Sequence, residues 1–145
     1  MEIYPDHIPS EIQSLESFMF WKNIRKGDGK MTKSPVSSAG FGIAHNNTDE
    51  LMPFELAKER LSKASGLGLG ISLLDGVKVN VETHTGYLWC LDFDGFAEPN
   101  SDKVDDGVLS FVESFPSYAE ISPSGTGFKF FFDDTPPPES KSKIK

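Results

Sequence analysis

The sequence predicts an α+β protein in which a mixed, largely antiparallel sheet is backed by helices. Two kinds of pattern predict this class: short aromatic or apolar runs of strand length, and two segments whose apolar residues recur at helical spacing. A Gly-rich joint between the last two apolar runs is typical of a β-hairpin. Twelve phenylalanines among 145 residues supply enough apolar area for a real core.

The first half of the chain predicts one strand, one loop and one helix. Residues 18–21, Phe-Met-Phe-Trp, predict a strand that ends at the polar turn 26–29. Residues 32–43 contain one proline and two glycines and predict a loop. A helix is predicted between Pro53 and Gly66, because apolar residues there recur at helical spacing. These residues are Phe54, Ala57, Leu61 and Ala64.

The second half predicts four strands and a further helix. Residues 67–74 predict a strand of small and apolar residues, and residues 87–93, Tyr-Leu-Trp-Cys-Leu-Asp-Phe, predict the most clearly buried strand. Residues 118–122 and 128–132 predict two strands of one hairpin, joined by five residues rich in Gly. The helix that precedes this hairpin is predicted from the spacing of Val104, Val108, Phe111, Val112 and Phe115.

The composition predicts one domain over residues 1–134 and a linker or disordered tail over residues 135–145. The tail has three consecutive prolines, then Ser and Lys, and no apolar periodicity. A single cysteine, Cys90, excludes an internal disulfide framework and a multi-cysteine zinc site. No apolar stretch approaches the ~20 residues that a membrane-spanning helix needs, so we expect a soluble cytoplasmic protein.

Charge is unevenly distributed along the chain, whose net charge is −8. A basic cluster lies between residues 22 and 33 with only Asp28 opposing it, and carboxylates crowd residues 92–106. A basic rim beside an acidic, metal-filled centre could hold DNA and nucleotide; an ordinary solvated surface would give the same pattern. The cluster consists of Lys22, Arg25, Lys26, Lys30 and Lys33.

Asp92 and Asp94 form the sharpest candidate site. Alternate residues of a strand point to the same face, so both carboxylates would project together from the end of the strand at 87–93, with Leu91 and Phe93 facing the core. Two carboxylates this close repel each other unless a cation neutralises them, and Mg²⁺ or Mn²⁺ prefers such oxygen ligands. The alternative interpretation is a strand end followed by a solvated Asp-Gly turn.

The segment 122–129, Ser-Pro-Ser-Gly-Thr-Gly-Phe-Lys, is the second candidate. Its glycines would let the backbone approach a phosphate, its hydroxyl groups can donate hydrogen bonds, and Lys129 adds a positive charge. The spacing of Gly, Lys and Ser/Thr that a P-loop requires is absent. A plain Gly-rich hairpin is the alternative interpretation.

Taken in order, these segments resemble the archaeo-eukaryotic primase superfamily, and in particular the primase–polymerase domains of phage and plasmid replication proteins. The resemblance is carried by a strand ending in Asp-x-Asp, a helix, and Tyr-x-Glu-x-Ser-Pro-Ser-Gly-Thr-Gly before a Phe-rich strand. The start is similar too: Trp21 is followed by Gly-Lys-Met-Thr-Lys-Ser-Pro at 29–35, as in the family's Trp…Gly-Lys-x-x-Lys-x-Pro. The resemblance covers residues 18–132.

The resemblance implies a metal-dependent nucleotidyltransferase that starts or extends DNA strands on a template. Asp92 and Asp94 would be the catalytic carboxylates that bind Mg²⁺ or Mn²⁺. Lys30 and Lys33 would lie in a basic stretch that contacts DNA or nucleotide. The implied partners are a DNA template, nucleoside triphosphates, and a helicase domain or protein, in the cytoplasm of a bacterial or archaeal host.

The resemblance also implies a nucleotide-binding role for the second segment. Ser124, Gly125, Thr126 and Lys129 would contact the phosphates of the incoming nucleotide. Many family members have His where Lys129 stands, although phage-type relatives often carry a basic residue there, and a lysine can hold a phosphate as a point charge.

The family's third motif, a further acidic metal ligand on a later strand, has no counterpart in this sequence. Asp133 and Asp134 follow the second motif too closely to supply it. We therefore expect either a chain truncated before that motif or a degenerate, inactive relative. The latter would bind nucleotide, single-stranded DNA or a replication partner. A third hypothesis is an acidic interaction domain whose resemblance to the family is accidental.

Overall fold

Two antiparallel sheets and three α-helices make up the parts of the chain that the structure describes, which confirms the α+β class. Pairings β1–β2, β1–β3, β5–β7 and β6–β7 are all antiparallel. No helix among the described residues is long and apolar enough to span a membrane. The computed structural model describes residues 4–73, 77–81, 84–96, 105–115, 117–122 and 125–134.

The strands follow one another in two groups separated by helices. The strands are β1 (Phe18–Arg25), β2 (Met31–Val36), β3 (Gly68–Ile71), β4 (Lys78–Val81), β5 (His84–Phe93), β6 (Ala119–Ile121) and β7 (Phe128–Asp134). The α-helices are α1 (Ser10–Gln13), α2 (Phe54–Lys63) and α3 (Asp106–Ser114). Short 3₁₀ helices cover Pro5–His7 and Thr48–Glu50.

The chain divides into two compact units, Met1–Val79 and Asn80–Lys145, and the division falls within β4. The prediction of one domain over residues 1–134 is a statement about autonomous folding and stays a prediction. The predicted tail, residues 135–145, lies outside the described residues, as does Val104.

The first unit contains a three-stranded sheet in the order β2-β1-β3 with its core on one face. Phe18 and Phe20 alternate along β1 and are buried, and the ring of Phe18 lies 5.2 Å from that of Phe54 at the start of α2. Aromatic side chains of this size bury large apolar areas, so this contact fixes the helix against the sheet. The helix ends before Gly66, whose φ of 73° suits a glycine, as the sequence predicts.

The prediction of a loop over residues 32–43 is wrong for its first five residues, which belong to β2. The polar turn after β1 is formed as predicted, with Gly29 at φ 82°, and it returns the chain antiparallel to β1. Pro35 is accommodated because β2 is an edge strand in the order β2-β1-β3, where a missing N–H is tolerated.

The second sheet has four strands in the order β4-β5-β7-β6, of which β5, β7 and β6 lie wholly in the second unit. The predicted strand at 87–93 corresponds to β5, but it begins earlier, and Leu88 is its only buried hydrophobic residue among those whose burial the structure describes. Cys90, which belongs to this strand, is half-buried. One face of the strand carries the buried Leu88, the half-buried Cys90 and the exposed Asp92. On the other face Trp89, Leu91 and Phe93 are all half-buried, so neither face of the strand is fully covered.

Helix α3 covers the other face of this sheet. Asp105 caps the helix by accepting hydrogen bonds from the backbone N–H groups of Gly107 and Val108. The ring of Phe111 lies 5.5 Å from both Phe93 on β5 and Phe130 on β7. The expectation that Phe93 faces the core is therefore confirmed.

Candidate functional site

Three charged side chains form a row across the strands β5, β7 and β6. Asp92 on β5 lies directly opposite Lys129 on β7, and Lys129 lies directly opposite Glu120 on β6. Residues directly opposite each other in an antiparallel sheet project to the same face. Lys129 therefore stands between two acidic residues on one face, and we call Asp92, Lys129 and Glu120 the charged row.

The first two members of the charged row form an ion pair. Lys129 Nζ donates a hydrogen bond to Asp92 Oδ2 at 2.6 Å. The side chain of Lys129 is 25% exposed and that of Asp92 is 48% exposed, so water reaches the carboxylate more freely than the ammonium group. A ligand that approaches this face can contact either charge.

The charged row and the aromatic core occupy opposite faces of the same sheet. Asp92 lies between Leu91 and Phe93 in sequence, and Lys129 lies between Phe128 and Phe130. Because side chains alternate along a strand, Phe93 and Phe130 pack against α3 while the charges project from the other face, which also carries the buried Leu88 and Phe131. The aromatic face thus holds the strands that carry the charges in register.

The turn before β7 is pressed against the end of β5. A Cβ added at Gly127 would collide with the carbonyl oxygen of Phe93, so only glycine fits there. Gly125 has φ 72° and donates its N–H to the carbonyl of Ser122 at 2.8 Å. The buried Ser122 accepts a hydrogen bond from the N–H of Gly127 at 3.1 Å through Oγ. The hairpin predicted from the glycines is confirmed, with Ile121 paired to Phe128.

The remaining predicted residues of this region lie beside the charged row or outside the described residues. Asp94 is exposed and follows the last residue of β5. Thr126 is half-buried in the turn between Gly125 and Gly127. Ser124 lies outside the described residues, so its predicted phosphate contact stays a prediction.

Two weakly acidic side chains flank the charged row on the same face. Burial, and then the negative charge of Glu120, raise the pKa of Tyr118 to about 12, and its hydroxyl donates to Glu120 Oε2 at 3.3 Å. Burial also raises the pKa of the Cys90 thiol to about 11, although the nearby ammonium of Lys129 acts to lower it. Both side chains are therefore protonated and uncharged at neutral pH.

Lys30 and Lys33 belong to the hairpin formed by β1 and β2 in the first unit. Lys30 is exposed in the turn, where its N–H donates to Asp28 Oδ1 at 3.0 Å. Lys33 is exposed on β2, and its Nζ lies 5.4 Å from the ring centroid of Trp21, within reach of a cation–π interaction. Trp21 lies flat over Gly68 of β3 and donates to the carbonyl of Leu69 at 2.9 Å.

The donor chemistry at the end of β5 fits a hard divalent cation. Asp92 and Asp94 both offer carboxylate oxygens that water can reach, and such oxygens are the preferred ligands of Mg²⁺ and Mn²⁺. Within the described ranges, no three side chains from His, Cys, Asp and Glu converge on a common point. The predicted cation site therefore consists of the two carboxylates of Asp92 and Asp94, and metal binding by them stays a prediction.

Glu120 is the member of the charged row that sequence reasoning did not assign. It appears in the Tyr-x-Glu pattern, but nothing in the sequence says which residue of the neighbouring strand it would meet. The β6–β7 register supplies this information by setting Glu120 opposite Lys129. The signal available in the sequence was the two-residue spacing of Tyr118, Glu120 and Ser122, which predicts one shared face.

No protein-family model matches this chain, and no curated protein matches it either.

Proposed function

We propose that this chain is a nucleotidyltransferase module of the primase–polymerase type, which binds a nucleoside triphosphate and a divalent cation to start or extend DNA strands. The observation that carries the proposal is the charged row beside the glycine turn. In it a carboxylate and an ammonium group lie side by side, at 2.6 Å, on the face of the sheet opposite α3. Such a face offers one charge to a cation and the opposite charge to a phosphate.

The acidic part of the site would hold the cation. Asp92 and Asp94 supply hard oxygen donors at the end of β5. When bound there, Mg²⁺ or Mn²⁺ would neutralise phosphate charge and activate the attacking 3′-hydroxyl group. Substituting either carboxylate by its amide retains the shape of the side chain and removes the charge.

The basic part would hold the phosphates of the nucleotide. Lys129 has a flexible four-carbon side chain and three donors, which suits a phosphate group as a point-charge contact. Gly125 has no side chain and nothing lies within 4 Å of the position of an added Cβ, so a phosphate could approach the turn closely there. Thr126 adds a hydroxyl donor in the same turn.

A template strand would contact the basic hairpin of the first unit. Lys22, Arg25, Lys26, Lys30 and Lys33 all lie in β1, β2 or the turn between them. The turn and the ends of both strands are exposed, so backbone phosphates can reach this hairpin. Contacts of this kind are independent of sequence and weaken with added salt.

The decisive experiment is a calorimetric titration with Mn²⁺ of the wild type, Asp92→Asn, Asp94→Asn and the double variant. We expect the wild type to bind the cation and both single variants to bind it at least about tenfold more weakly, because each loses one charged ligand. Asp106→Asn, in the exposed first turn of α3, is the matched control and should bind as the wild type does. Equal Mn²⁺ affinity in the wild type and the double variant would refute the cation site.

A non-catalytic nucleotide- or single-stranded-DNA-binding module is the second candidate function. The ion pair favours it, because Lys129 already neutralises Asp92 within the protein. A primer-extension assay with a template, deoxynucleotides and Mn²⁺ separates the two. Nucleotide binding without any incorporation would favour the second candidate, whereas incorporation abolished by Asp92→Asn would establish the first.

A further inference from the structure

The ion pair between Lys129 and Asp92 has a direct consequence for how the site would be loaded. This inference rests on the function proposed above, which assigns a phosphate to the ammonium of Lys129 and a cation to the carboxylate of Asp92. Yet Lys129 Nζ and Asp92 Oδ2 lie 2.6 Å apart and satisfy each other. The pair thus occupies one oxygen of the carboxylate and one donor of the ammonium, and each ligand must bind beside the pair or replace it.

A cation that approaches Asp92 meets a positive charge already in contact with the carboxylate. The ammonium competes for the same oxygen and repels a second cation nearby. The strand register keeps the competing ammonium group beside the carboxylate, because Lys129 is the direct cross-strand neighbour of Asp92. A divalent cation alone should therefore bind more weakly than the donor set of Asp92 and Asp94 would allow.

A triphosphate has the opposite effect on the pair. It presents several negative charges, and a lysine side chain can swing toward them on its flexible stem. Glu120 lies on the other side of Lys129 and is its second acidic neighbour. Its negative charge disfavours complete removal of the ammonium from this face. Movement of Nζ from Asp92 to a phosphate would expose the carboxylate to a cation.

We propose that Lys129 is a positioning residue that controls access to the Asp92 carboxylate. It masks the carboxylate in the free protein and releases it when a triphosphate draws the ammonium away. Binding free energies are reciprocal, so a bound triphosphate must raise the affinity for the cation by the same factor by which a bound cation raises the affinity for the triphosphate. The two ligands are thereby coupled through one ion pair.

The test uses two separate titrations of the full chain, Mn²⁺ alone and a metal-free nucleoside triphosphate in the presence of a chelator. A half-exposed ion pair of this kind corresponds to an effect of about fivefold in a dissociation constant. Lys129→Met should bind Mn²⁺ about fivefold more tightly than the wild type and metal-free nucleotide more weakly. Asp92→Asn should bind metal-free nucleotide about fivefold more tightly, because its Lys129 is no longer held.

Controls separate the pair from general electrostatics. Asp94→Asn removes an equal charge two residues away and should tighten metal-free nucleotide binding less than Asp92→Asn does. Lys63→Met removes a lysine whose partner is Glu59 on the surface of α2, and should leave both titrations unchanged. Lys129→Gln is a second replacement should Lys129→Met fold poorly, and circular dichroism checks the fold of every variant.

A double-mutant cycle decides the outcome. If the pair is the cause, Asp92→Asn tightens nucleotide binding in the Lys129 background and not in the K129M background. Equal effects in both backgrounds, or unchanged Mn²⁺ affinity in K129M, would overturn this inference and leave the proposed function standing. Wild-type protein that binds neither Mn²⁺ nor nucleotide would overturn both.

Discussion

The two sheets of this protein treat their charged residues differently. In the first sheet Phe18, Phe20 and Val36 are at most 1% exposed, and the basic residues come where β1 and β2 leave this core. In the second sheet a charged row crosses three paired strands, directly behind a face that includes Phe130 at 2% exposure.

The two sheets differ in whether folding alone explains why their charged residues are present. Charges at the open end of a hairpin stay hydrated and cost folding little. Charges within a paired sheet lose part of their hydration and are tolerated when they are paired, although apolar residues would do as well for stability. Its contribution to folding therefore does not explain the charged row of the second sheet, and a ligand-binding role for it stays a proposal.

The greatest loss of stability is expected in the core of the first sheet. Phe18→Ala should lower the free energy of unfolding by about 3–5 kcal/mol, because a fully buried phenyl ring leaves a cavity. Phe115→Ala, at a ring 51% exposed in the second unit, should cost about 1 kcal/mol or less. Urea unfolding followed by circular dichroism measures both, and equal losses would show that Phe115 is packed as tightly as Phe18.

A smaller effect is expected where the turn meets β5. Gly127→Ala should lower the free energy of unfolding by about 1–3 kcal/mol, because its Cβ would overlap the carbonyl oxygen of Phe93. Gly27→Ala is the matched control, since nothing lies within 4 Å of its added Cβ, and should change stability by about 0.5 kcal/mol at most. A Gly127→Ala variant as stable as the control would mean that the turn can move away from β5.

The basic hairpin can be compared with the charged row through salt. For each phosphate group that a variant no longer binds, the slope of log affinity against log salt for a single-stranded oligonucleotide should fall by about 0.7. Lys30→Gln and Lys33→Gln should each show this decrease in fluorescence anisotropy, whereas Lys63→Gln on α2 should not. Identical slopes in the wild type and all three variants would remove the hairpin from the DNA interface.

The weakest effect on stability is expected from the ionisation of Tyr118, beside the charged row of the second sheet. Burial and the charge of Glu120 raise the pKa of Tyr118 from 10.0 to about 12 in the folded protein. Ionisation of this phenol therefore favours unfolding: its contribution is complete below pH about 10 and is lost as the pH rises through about 12. The difference between the ultraviolet titrations of the wild type and Tyr118→Phe isolates this phenol, and a midpoint near 10 would contradict the described burial.

Much of the fold could be predicted from local pattern. The helix at 54–63, the polar turn after β1 and the hairpin before β7 depend on apolar spacing, Gly and Pro, which act over a few residues. Strand β2 was missed because its proline and polar residues lack a strand pattern, and it is a strand through its pairing with β1. The low burial of β5 likewise depends on which elements pack against the two faces of its sheet, and local pattern does not show these elements.

The candidate site divides in the same way. Local pattern is enough to predict that Asp92 and Asp94 lie two residues apart at a strand end and that Lys129 follows a glycine turn, because periodicity and turn chemistry are local properties. The pairing of Lys129 with Asp92, and the position of Glu120 on its other side, became known from the folded sheet. Strand register is fixed by contacts between residues 37 positions apart, such as Lys129 and Asp92, and no local pattern encodes that distance.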